Sequence, residues 1–249
     1  MFQHEGPTRS VRKNGVLAGY LAFVAGFVNS VGFILIGRFT SHVTGVVGAF
    51  GIQLSGGDLP SALTTLLLVV NFFAGAFVAS LLLETSRFGR TSAAYGTALL
   101  VEAAVLAAFV GSAGASYLSD ARPVLLAFAM GMQNSLVTRL SGAVVRTTHL
   151  TGVITDLGIE AARWYRWHRA KLRALPPLLP SRSPPDRPVA ARALLLSTIV
   201  GAFTLGAMCG ASSARVWRQA AVLVPVGCLV AASLYAFREA RRAQPQSEG

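Results

Sequence analysis

Acidic residues are scarce in this chain: it has ten Asp and Glu in 249 residues, and charged residues of both signs make up 13%. A soluble domain carries about a quarter charged residues, so a surface facing water on all sides is excluded. There are only two cysteines, Cys209 and Cys228, both inside apolar runs. They supply neither a disulfide framework nor a metal-ligand spacing and read as packing residues. A Gly-x-Ser-x-Gly elbow, a His-Glu-x-x-His pair and a phosphate-binding glycine loop are also missing. This argues against an enzyme and against ATP-driven pumping by this chain, and no cofactor is expected.

What the chain does have is apolar length: 53% of its residues are hydrophobic and its mean hydropathy is +0.56. Stretches free of Asp, Glu, Lys and Arg cover 14–37, 59–83, 123–138, 193–214 and 219–237, and 91–119 is interrupted only by Glu102. A helix needs roughly 20 apolar residues to cross about 30 Å of hydrocarbon. The pattern predicts an all-α membrane protein, a single integral membrane domain over 1–249 with six transmembrane helices near 15–37, 61–83, 92–112, 121–140, 192–212 and 219–237. The first follows Arg9, Arg12 and Lys13 as a signal peptide would, but its apolar region is too long and no convincing cleavage site follows, so it is expected to be retained.

The net charge of +12 raises the question of nucleic acid, and the placement of the basic residues decides against it. With six spans and both termini cytoplasmic, only Arg38, Arg122, Arg215 and Arg218 fall outside, and the other eighteen Lys and Arg lie inside. That is the asymmetry expected of a plasma (bacterial inner) membrane protein. Counting the 19 uncharged residues 39–57 as a further span would reverse it, placing the Arg-rich segment 163–187 outside. This Gly-, Ser- and Thr-containing stretch is therefore expected to be re-entrant or broken, and 147–160 likewise.

These two elements carry a repeat. Ser41-His42-Val43-Thr44-Gly45-Val46-Val47 returns 107 residues later as Thr148-His149-Leu150-Thr151-Gly152-Val153-Ile154. Upstream, Gly26-Phe27-Val28-Asn29-Ser30 answers to Gly131-Met132-Gln133-Asn134-Ser135, and downstream Ala74-Gly75-Ala76-Phe77 resembles Val200-Gly201-Ala202-Phe203. A duplicated unit of three spans, one near 14–112 and one near 121–237, must insert in opposite orientations because three is odd. The expectation is two inverted repeats, each with a short element entering from its own face. A helix over 44–54 would be about 16 Å long, half the hydrocarbon thickness. Ser or Thr before it is a suitable N-cap, and its amide-bearing end could hold an anion.

The candidate solute-binding residues follow: Asn29, His42, Thr44 and Gly45 from the first copy, with Asn134, His149, Thr151 and Gly152 from the second. An unsatisfied amide in hydrocarbon costs several kcal/mol, so both Asn side chains must face protein or water, as helix-to-helix glue or along a path. Imidazole donates, accepts and changes charge near neutral pH, although two His residues leave a metal shell incomplete, so no metal is expected. Glu102 is an acid inside a span, a functional candidate by default and a candidate proton carrier. Asp156 is expected to neutralise nearby Arg. Gly15-x-x-x-Gly19 and Gly206-x-x-x-Gly210 read as close helix packing. The insertion at 161–190 begins with an Arg- and Trp-rich run at 163–173, expected as a short helix in the headgroup region, and continues as a Pro-rich linker.

The Ala-Gly-x-x-Asn first span from Ala25, the Ser-His-x-Thr-Gly turn ending at Gly45, and the Gly-x-Gln-Asn from Gly131 followed by a Thr-Gly pair ending at Gly152 resemble the YoaK-like family of bacterial six-span inner-membrane proteins, whose function is unknown. The outline of that family covers nearly the whole chain. Its members often carry Asp where this chain has Asn29, so the resemblance implies the fold and not an ion-coupling acid at that point. The functional expectation is a secondary transporter or facilitator of a small polar or anionic solute. A passive channel, or a scaffold or sensor that uses the Arg-Trp segment, is the alternative. The expected partners are the lipid bilayer and the solute, with no nucleic acid and with self-association left open.

Overall fold

The computed structural model describes residues 11–84, 91–112, 121–140, 150–173 and 189–242. Within them the protein is all helical: α1 (Val11–Ile36), α2 (Val43–Ser55), α3 (Leu59–Glu84), α4 (Thr91–Gly111), α5 (Ala121–Leu140), α6 (Leu150–Arg173), α7 (Ala190–Trp217) and α8 (Leu223–Arg242), with a 3-10 turn at Arg218–Val222. No strand occurs among the described residues.

Four stretches are long and apolar enough to cross a membrane: Gly15–Ile36, Leu59–Glu84, Ser92–Gly111 and the 53 residues Ala190–Arg242. The last contains the two spans expected at the C-terminal end. Arg218, whose φ of 51° is a left-handed value that a side chain resists, breaks it into α7 and α8. The span expected at 121–140 is a helix of 20 residues but is not among the four apolar stretches, because Arg122, Gln133, Asn134, Ser135, Thr138 and Arg139 dilute its Leu, Phe and Met.

Contacts between helices fix their directions. Gly15 and Gly19 of α1 face Leu195 and Thr198 of α7, and Gly26 lies against Phe203 and Ala207, so α1 and α7 run parallel. In α3 and α5, Gly75 lies against Phe128 and Met132, the Ser80 and Ser135 hydroxyls are 2.8 Å apart, and Glu84 pairs with Arg139. This pair is also parallel. The start of α4 meets the end of α8, where the Ser233 hydroxyl donates to the Gly96 carbonyl at 2.7 Å and the Phe237 ring covers Gly96. α8 runs back along α1, with the Tyr20 hydroxyl donating to the Cys228 carbonyl at 2.6 Å.

Both parallel pairs are built on glycine. A Cβ on Gly26 would collide with the carbonyl of Phe203, and one on Gly206 with that of Phe23. On the other side a Cβ on Gly75 would strike Phe128, and one on Gly131 would strike Phe72. Backbone thus rests on backbone, as small-residue interfaces permit. Gly206-x-x-x-Gly210 packs on Phe23 and Phe27 as expected. Gly201, read in the sequence as the match of Gly75, has nothing within 4 Å of a Cβ, whereas Gly206 is pressed against Phe23 as Gly75 is against Phe128. The position along the interface, not local letter similarity, sets this register.

The two motif helices leave this frame by different routes, and they are unequal: α2 has 13 residues, whereas α6, expected as a short element, has 24. The chain turns at Gly37 (φ 74°) and descends beside α1, so that Ser41, five residues past the end of α1, bonds to Asn29, seven residues before that end. α2 then climbs back, and Gly57 (φ 76°) reverses the chain into α3. Asp58 caps α3 by accepting the Ser61 N–H at 3.2 Å, and the Ser61 side chain first, with that N–H second, holds its carboxyl below the usual range. α6 is described from Leu150, the motif position that matches Val43. It runs past the start of α7, where Arg192 meets Asp156 at 3.4 Å and Glu160 at 3.5 Å. The Arg-Trp run is not a separate helix, because nothing between Gly158 and Arg173 breaks α6. Arg163 pairs with Glu160 at 2.8 Å one turn back, and Arg169 stacks over Tyr165.

The glycine contacts predict that Gly206→Leu lowers stability by about 3 kcal/mol or more through overpacking, whereas Gly201→Leu on the same helix is tolerated. Thermal unfolding of the two detergent-purified variants, side by side, checks this.

Candidate functional site

Between α3 and α5, at the depth of the Gly75–Gly131 contact, lies a cavity of about 400 Å³. Ser41, His42, Val43 and Thr44 at the start of α2 form one wall, and Thr151 in the first turn of α6 contributes from the other copy of the motif. α5 supplies Asn134, Ser135 and Thr138, and α3 supplies Phe72 and Ala76, the residues that also flank Gly131. Of the residues singled out in the sequence, His42, Thr44, Asn134 and Thr151 meet here. Ser135 and Thr138 were not anticipated. They sit one and four positions after Asn134, the latter on the same face of α5 at helical spacing.

Asn29 does not line the cavity. It is buried behind it, accepting the Ser41 hydroxyl on Oδ1 at 2.9 Å, and so fixes the descending chain. Asn134 donates to the Met130 carbonyl one turn back at 2.8 Å while bordering the cavity. Gly45 belongs to a second cavity of about 320 Å³ with Arg38, Gln53 and Thr65, and His42 borders both. Gly45 has a steric purpose: a Cβ there would overlap the His42 ring, which folds back over the first turn of α2. Arg38, held by a 3.2 Å bond to the Thr65 hydroxyl, is the cation nearest His42 in that lining. Gly152 lines neither cavity, and His149 lies outside the described residues. Glu102 stands on α4, away from both.

One expectation about the helix start is overturned. The N-cap of α2 is His42, which makes no side-chain cap bond, and Ser41 spends its hydroxyl on Asn29 instead. The first turn of α2 therefore borders the cavity with no side-chain cap bond at its start, and the amides of a helix start carry partial positive charge. No carboxylate lines either cavity, and among the described residues no group of His, Cys, Asp and Glu could hold a metal. The site suits a neutral hydrogen-bonding or negatively charged solute.

Apolar helices of membrane-crossing length, packed against one another through glycine, define a multi-helix membrane protein. Residues 17–235 match the family described as "Protein of unknown function (DUF1275)", and the chain belongs to that family. It is also similar to the UPF0700 transmembrane protein YoaK of Bacillus subtilis (strain 168), with 26% identity over 156 residues, 60% of this chain and 68% of that protein. No solved structure matches.

Ser41→Ala is expected to cost about 1–3 kcal/mol, because it leaves the buried Asn29 oxygen without its donor. The same substitution in an Asn29→Val background should cost much less. A double-mutant cycle on thermal stability in detergent measures the difference.

Proposed function

We propose that the protein is a secondary transporter of a small anionic or strongly hydrogen-bonding solute, which binds in the cavity between the starts of α2 and α6. The observation that carries this reading is the convergence of the two motif copies: Thr44 near the start of α2 and Thr151 near the first described residue of α6 border one cavity. From it α2 leads back toward the start of α3, while α6 leads toward the start of α7. Two helix starts aimed at one point attract negative charge, and irregular backbone at that depth is tolerated where it lines a cavity.

The six helices at the expected spans alternate in direction, α1, α4 and α7 one way and α3, α5 and α8 the other. This supports two inverted three-helix units, α1–α3–α4 and α5–α7–α8, with α5 completing the six spans. The glycine-paired interfaces α1/α7 and α3/α5 would then be one contact made twice, and rocking about them would expose the cavity to each face in turn. The basic residues at the ends of α5, α6 and α8, Arg139, Arg163, Arg166, Arg169, Lys171, Arg238, Arg241 and Arg242, gather at one face. That face is the cytoplasmic side of a bacterial inner membrane, with both termini on it.

Reconstituted vesicles loaded with inorganic phosphate or a small carboxylate should show saturable, counterflow-sensitive exchange of the labelled anion. His42→Ala, Thr44→Asp and Thr151→Asp should each reduce it at least about tenfold, a loss of some 1.4 kcal/mol, with unchanged insertion. Linear, non-saturating flux would favour a passive channel. Flux indifferent to all three substitutions would remove this cavity from the function.

A further inference from the structure

Two side chains that take no part in the cavity stand out by their burial. Glu102 on α4 and Gln133 on α5 are both 0% exposed, and neither the carboxyl oxygens of the one nor the amide oxygen and nitrogen of the other has a hydrogen-bond partner. Orphaned polar atoms at such depth are rare and costly, so two of them call for a physical reason.

Their positions coincide in depth. α4 and α5 meet at one end, where an Arg122 N–H donates to the Ser112 carbonyl at 2.6 Å. Glu102 stands ten residues back from Ser112 and Gln133 eleven residues on from Arg122, so both lie about 15 Å from that contact at 1.5 Å per residue. Both also face inward. Glu102 continues the fully buried stripe of Tyr95, Leu99, Leu106 and Phe109 on α4, and Gln133 that of Leu126, Met130 and Val137 on α5. Gln133 is two positions round from Gly131 and so points away from α3, while its neighbour Asn134 borders the cavity.

The elements packed on α4 are α3, α5, α8 and the 3-10 turn. Among their described residues the charged groups, Glu84, Arg122, Arg139, Arg218, Arg238, Glu239, Arg241 and Arg242, all sit at helix ends. The titratable groups within the layer are Tyr95 on α4 itself, with Cys228 and Tyr235 on α8. No cation stands at the depth of Glu102 to balance a carboxylate, and an unbalanced charge there costs several kcal/mol.

We propose that Glu102 and Gln133 form a proton-binding site: the two side chains are unbonded in this structure, and a rotation about their side-chain bonds lets the protonated carboxyl donate its O–H to the carboxamide oxygen and accept the carboxamide N–H on its carbonyl oxygen. Glu102 holds the proton and Gln133 is its positioning residue. Because α5 carries Gln133 on one face and Asn134 on another, a shift of α5 on solute binding alters the partner of the proton. That coupling rests on the transport reading above, whereas the proton site does not.

The test uses the purified full chain and needs no solute. Dicyclohexylcarbodiimide, an apolar reagent that adds to protonated carboxyls, should place one adduct on the Glu102 peptide in wild type and none in Glu102→Gln. The exposed Glu84 and the ion-paired Glu160 serve as internal controls. Labelling should fall about tenfold per pH unit above its midpoint. In infrared difference spectra the protonated-carboxyl C=O band should vanish in Glu102→Gln and move to higher frequency in Gln133→Leu, where its hydrogen bonds are lost. Absence of the adduct, pH-independent labelling, or a band unmoved by Gln133→Leu overturns the pair. Protection by sodium ions at fixed pH overturns it too, by assigning the site to a metal cation. None of these readouts depends on whether phosphate or carboxylate crosses the membrane.

Discussion

The structure depends on backbone meeting backbone at four glycines. Where Gly26 and Gly206 face Phe23 and Phe203, and where Gly75 and Gly131 face Phe72 and Phe128, no side chain separates the helices. In hydrocarbon there is no water to be expelled between helices, so association rests on such close van der Waals contact and on the few hydrogen bonds it allows. Everything else takes its position from these two parallel pairs. α4 and α8 fill the space between them, and the cavity opens beside Gly131, where the α3 residues Phe72 and Ala76 turn from packing surface to lining.

The second constraint is the need to satisfy polar backbone away from water. A helix beginning at depth leaves amides that something must meet. At α2 the obvious acceptor, Ser41, is committed to Asn29, and His42 folds over Gly45 without capping. The helix start is held in place without being neutralised. A buried polar pair behind the cavity and a polar opening in front of it are two uses of one short segment, which gives a physical reason for Ser41, His42, Thr44 and Gly45 standing together.

Much of this was legible in the residues. The apolar runs located six of the eight helices, because length and apolarity survive any tertiary context, but not the 24-residue α6. The duplicated motif marked the start of α2 one residue after His42, and α6 is described from Leu150. Other features were not legible. The continuity of α6 into the Arg-Trp run depended on local pairs such as Glu160–Arg163, which composition alone reads equally well as a break. That Gly206, and not Gly201, has a carbonyl pressed against it as Gly75 has was hidden, because Ala-Gly-Ala-Phe and Val-Gly-Ala-Phe look alike in sequence. Gln133 passed as one residue of a polar cluster until its burial set it apart from Asn134.

The sequence by itself determined that this is a helical membrane protein with a repeated His-x-Thr-Gly element and an acid, Glu102, stranded in an apolar run. Those properties are local: hydropathy, spacing and residue type suffice. Only the tertiary structure decided that Thr44 and Thr151 share a cavity, that Asn29 stands behind it as a support, and that Glu102 lies level with Gln133. Each of these joins residues far apart in the chain, and helix direction and rotation, set by glycine contacts, bring them together.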